Sequence, residues 1–107
     1  MKIAALVDDL FFKSKIAEVA RQTGGEVVFC HSAESVPRDA DRICVDLNAV
    51  AFDALEAVRI LTSTHKAPVI AYLSHVQTEL ARQATAAGAT EVMPRSAFVQ
   101  RLQSLLK

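Results

Sequence analysis

Short apolar runs and helical stripes alternate along the chain from one end to the other. Lys2–Val7 (KIAALV) is a continuous apolar run of the length of a buried strand. From Leu10 the period changes. Phe12, Ile16, Val19 or Ala20, and Thr23 recur at three- and four-residue steps, which predicts a helix closed by Gly24 and Gly25. Glu26–Cys30 reads as a second strand and Arg42–Asp46 as a third. The polar stretch Ser32–Asp41 around Pro37 leaves space for only one or two helical turns between them. Asp53, with Glu56 three residues on, predicts the N-terminus of a helix whose stripe is Leu55, Val58 and Leu61 or Thr62. Pro68–Leu73 is a fourth strand, Thr78–Ala87 a helix stopped by Gly88, and Glu91–Met93 a brief fifth strand. Ser96 is the expected cap of a last helix through Phe98, Val99, Leu102, Leu105 and Leu106.

Five strands alternating with helices through short links predict an α/β fold, a doubly wound parallel sheet covered on both faces. For a chain of this size the expected strand order is 2-1-3-4-5, as one domain spanning residues 1–107. In such sheets ligands bind beyond the carboxyl ends of the strands where the order reverses, here at the first and third strands.

The residues at those ends carry the chemistry. The first strand runs into Asp8 and Asp9, and the third ends in Asp46. Three carboxylates in one crevice raise one another's pKa or demand a cation. An all-oxygen donor set with room for water suits magnesium, and a carboxylate beside a metal is a nucleophile for phosphoryl transfer. Aspartate at a strand end also starts turns, and Asp9 is placed to cap the helix that follows.

Composition narrows the function classes. Hydrophobic residues make up 51% of the 107 residues, and 12 basic side chains balance 12 acidic ones. No global field therefore draws the protein to nucleic acid or an anionic membrane. The apolar start meets two aspartates too soon for a signal peptide or a membrane span, so a cytoplasmic chain is expected. Cys30 and Cys44 sit inside apolar runs, with no CxxC spacing and with one strand expected between them, so they are expected to stay reduced. His31, His65 and His75 lack metal-ligand spacing. Of Phe11 and Phe12, one must point away from the core stripe, and an exposed aromatic there is a candidate partner surface. Tyr72 in the fourth strand reads as a buried core residue and equally as an aromatic reporter of conformation. Gln100 and Arg101 suit a homodimer face and a solvated face equally.

At these residues the chain resembles the receiver domains of bacterial response regulators. VDDLFFKSKI is similar to their first strand and helix start, whose paired acidic residues bind magnesium. RICVDLN is similar to their third strand, which ends in the aspartate phosphorylated by a histidine kinase. APVIAYLSHVQTELARQATAAGATEVMPRSAF is similar to the segment from their fourth strand to the start of their last helix. The resemblance implies a flavodoxin-like, CheY-like sheet, magnesium held by Asp8, Asp9 and Asp46, and phosphoacceptance at Asp46. It also implies a non-enzymatic signalling module of two-component phosphorelays, docking to a histidine kinase or another signalling protein.

Three departures mark the chain as an atypical receiver. Arg95 stands where receivers carry a lysine, and a planar fork is not equivalent to an ammonium point charge. Leu73 stands where they carry a phosphate-binding hydroxyl, and Ser74, one residue later, replaces it only if the strand ends or bulges there. The loop LNAVAFD has neither proline nor glycine. Two other readings follow. One is a phosphorylation-independent pseudo-receiver that binds a protein partner. The other is a small flavin- or nucleotide-binding protein, against which VDDLFFK lacks the glycines of a phosphate loop.

Overall fold

Residues 1–75 and 77–106 are described by the structure, a computed structural model. Its elements are β1 (Lys2–Leu6), α1 (Leu10–Thr23), β2 (Glu26–Cys30), a single 3-10 turn (Ala33–Ser35), β3 (Arg42–Asp46), α2 (Ala54–Thr64), β4 (Val69–Leu73), α3 (Thr78–Ala86), β5 (Glu91–Pro94) and α4 (Arg95–Leu105). The five strands form one sheet in the order β2-β1-β3-β4-β5, with every neighbouring pair parallel. This is the predicted doubly wound order, with a 3-10 turn in place of a helix between β2 and β3.

Alternation along the strands builds two cores. Ala4, Leu6, Val45, Val69, Ala71 and Leu73 face Val58 and Leu61 of α2. Ile3, Ala5, Cys44, Ile70 and Tyr72 face Phe12 and Ile16 of α1 and Phe98 and Leu102 of α4. All five residues of β4 are buried, which accounts for its unbroken apolar run. Cys30 and Cys44 lie on opposite faces of the sheet with β1 between them, a placement no disulfide spans.

Helix ends follow local chemistry. Asp9 Oδ1 accepts the Phe12 N–H at 3.1 Å, and Gly24 closes α1 at φ 79°. Asp53 Oδ1 accepts the Glu56 N–H at 3.1 Å to start α2. The start of α4 departs from the sequence expectation. Ser96 lies inside the helix, Pro94 takes the N-cap position with φ −64°, and no side chain caps it. The chain passes from β5 straight into α4 with no loop to place a capping serine, and proline's fixed φ suits that junction. Smaller shifts occur elsewhere: β1 ends at Leu6, β4 starts at Val69, α3 ends at Ala86, and β5 runs on to Pro94. Among the described residues no helix is long and apolar enough to cross a membrane.

Candidate functional site

The carboxyl ends of β1 and β3 lie side by side at the centre of the sheet, where the strand order reverses. Asp46, the last residue of β3, is 3% exposed and is the one buried charged residue among those described. Its Oδ1 accepts the N–H of Asn48 at 2.9 Å, the local turn an aspartate makes two residues on. Burial pushes its pKa up. The Asn48 N–H and the Arg95 charge oppose that shift, and the charges of Asp8 and Asp9 add to it. Asp46 thus senses the charges of Asp8 and Asp9 at the same edge.

They do not act alike. Asp8 Oδ2 accepts the N–H groups of Val50 at 2.8 Å and Ala51 at 3.0 Å, bonds that hold its pKa below the usual carboxylate range and tie the β3–α2 loop to β1. Asp9 caps α1. Among the described residues no group of three His, Cys, Asp or Glu side chains is arranged to hold a metal ion. The oxygen chemistry suits magnesium, but the arrangement does not fit a three-carboxylate cage.

Asn48, whose backbone bonds Asp46, links two loops through its side chain. Its Nδ2 donates to Gln77 Oε1 at 2.9 Å, and its Oδ1 accepts the Ser74 N–H at 2.6 Å. Leu73 points into the α2–α3 core, on the other face of the sheet from Tyr72, and Ser74 is exposed. Ser74 and Arg95 line an open depression with His75, Pro94, Ser96 and Val99, and Asp46 is not among its walls.

Arg95 opens α4, with its guanidinium 5.2 Å from the centroid of the Phe12 ring. It contributes positive charge to Asp46 from this stacked position. Tyr72 is the residue that sequence reasoning undervalued. It pairs in register with Asp46, is completely buried, and is packed 4.5 Å from Phe98 and 5.0 Å from Phe12. Its hydroxyl and the Nε of Arg95 are both buried without a hydrogen-bond partner among the described residues. An unmet buried donor of this kind costs about 1–3 kcal/mol. The readable signal was a polar tip on a strand that is otherwise wholly apolar.

No protein-family model matches the chain, and no curated protein matches it. Solved structures do. A response regulator from Burkholderia pseudomallei, with a phosphorylated aspartic acid, a calcium ion and citrate, superposes at TM-score 0.81 with 19% identity, over 99% of this chain and 66% of that one. The beryllofluoride-activated receiver domain of Klebsiella pneumoniae RstA matches at TM-score 0.81 and 17% identity, over 100% and 99% of the two chains. The manganese-bound form of response regulator Rcp1 matches at 0.79 and 13%, over 97% and 90%. The fold is therefore the CheY-like fold of response-regulator receiver domains.

Proposed function

We propose that this chain is a receiver-like signalling module of the two-component type, which docks on a histidine kinase or another signalling protein and accepts a phosphoryl group on Asp46. It is the modified partner in that exchange and not an enzyme. The observation that carries the reading is Asp46 itself, a buried carboxylate at the strand-order reversal with an arginine nearby and, among the described residues, no ion pair to account for its burial. In the transfer, Asp46 Oδ2 attacks the phosphorus of a phosphohistidine on the partner. A P–O bond forms as the P–N bond breaks, the electron pair returns to the imidazole nitrogen, and Asp46 becomes an acyl phosphate. Arg95 offsets the added negative charge. Asp46 is 3% exposed, so access requires a local opening of the kind that loops undergo.

A phosphorylation-independent pseudo-receiver is favoured by one specific observation. Asp8 is bonded to Val50 and Ala51, which holds the β3–α2 loop in one position. Backbone amide spectra with magnesium and beryllium fluoride separate the two readings. Shifts at residues 46–48 and 73–75 in the wild type, absent in Asp46→Asn, are the expected result. An unchanged spectrum would leave the pseudo-receiver.

A further inference from the structure

Two buried hydrogen-bond donors near Asp46 lack an acceptor among the described residues. The Tyr72 hydroxyl is fully enclosed, and its ring packs against both Phe12 and Phe98, which also touch each other. The Nε–H of Arg95 is enclosed over the Phe12 ring, so both donors belong to one aromatic cluster at the carboxyl edge. Tyr72 lies directly across the β3–β4 ladder from Asp46, and neighbours paired in register project to the same side of a sheet. A phenylalanine would pack against Phe12 and Phe98 equally well with no polar atom to satisfy, so packing alone does not explain the phenol. Two enclosed donors without a partner among the described residues suit an oxygen-bearing guest.

We propose that the Tyr72 hydroxyl, seconded by Arg95 Nε–H, donates a hydrogen bond to an oxygen of the phosphoryl group carried by Asp46. This rests on the reading of Asp46 as the phosphoacceptor. Leu73 and Ser74 do not supply such a hydroxyl, since the first is apolar and on the far face and the second is exposed. Burial and the neighbouring Asp46 charge push the Tyr72 pKa far up, so the phenol keeps its proton and remains a donor throughout the physiological range. The bonds made and broken in the transfer are unchanged; Tyr72 contributes only the hydrogen bond.

The test uses the full chain with magnesium and beryllium fluoride. Tyr72 is the single tyrosine and the chain has no tryptophan, so near-ultraviolet absorbance and tyrosine emission report this site alone. The expected result is a change in both signals on wild-type binding, abolished by Asp46→Asn. Binding followed by fluorine NMR should weaken about tenfold in Tyr72→Phe, the loss of one hydrogen bond to a charged group. The melting temperature of Tyr72→Phe should equal or exceed that of the wild type, because the variant removes an unmet hydroxyl. A folded Tyr72→Phe that binds the probe with wild-type affinity would overturn the role of Tyr72 and leave the phosphoacceptor standing. A wild type that binds no probe would overturn both.

Discussion

Asn48 holds the backbone of Ser74, whose N–H donates to Asn48 Oδ1 at 2.6 Å across the gap between the β3–α2 and β4–α3 loops. The same side chain reaches Gln77, so one amide bridges two loops. Asn48→Ala should therefore lower stability by about 1–2 kcal/mol, read from urea unfolding. Amide exchange should accelerate at residues 48–51 and at Ser74 while β1 and β4 stay protected. Uniform exchange across the chain would show that the bridge is incidental.

The adjacent pair Phe11 and Phe12 should respond in opposite ways. Phe12 is 7% exposed within the aromatic cluster, whereas Phe11 is 91% exposed. Phe12→Ala should cost about 3–5 kcal/mol through the cavity it opens. Phe11→Ser should change stability by no more than about 0.5 kcal/mol. Equal unfolding midpoints for the two variants would contradict the placement of α1.

Gly88 and Thr62 give a third expectation. Gly88 has φ 111°, and a Cβ built there would meet Thr62 Oγ1 at 2.8 Å. Gly88→Ala should destabilise by about 1–3 kcal/mol through backbone strain and this contact together. Adding Thr62→Ala should recover the steric part only, a partial rescue visible in a double-mutant cycle.

Cys44 gives a dependence on pH. Burial pushes its thiol up to about 12 from an ordinary value of 9.0. The folded state therefore holds a proton that the unfolded chain releases first. This contribution to stability is fully present below about pH 9 and is lost as the pH rises toward 12. Unfolding midpoints should fall over that window, and the fall should shrink in Cys44→Ala. At pH 8 the native protein should resist iodoacetamide at Cys44, and denaturant should expose it.

The legible part of the molecule was what local patterns determine. Continuous apolar runs located β2 and β3 to the residue, and Gly24 and Asp53 marked helix ends because their caps involve only near neighbours. The start of α4 was misread because Ser96 is a good cap in isolation, while the strand-to-helix junction leaves no place for one. At the site, the gathering of Asp8, Asp9 and Asp46 at one edge followed from the strand order. The partners of Asp8 did not, since Val50 and Ala51 lie more than forty residues away and neither carries a side-chain signal. The hydroxyl of Tyr72 was not legible as a neighbour of Asp46, because that relation depends on the β3–β4 register.

The position of β1 between β2 and β3 also bears on how the chain folds. Until Arg42–Asp46 docks, Ile3–Leu6 present an open row of backbone donors and acceptors between two apolar faces. Such a species is a template for pairing with another molecule. Refolding yield should accordingly fall as protein concentration rises, and peptides that mimic β3 should compete for the vacant edge.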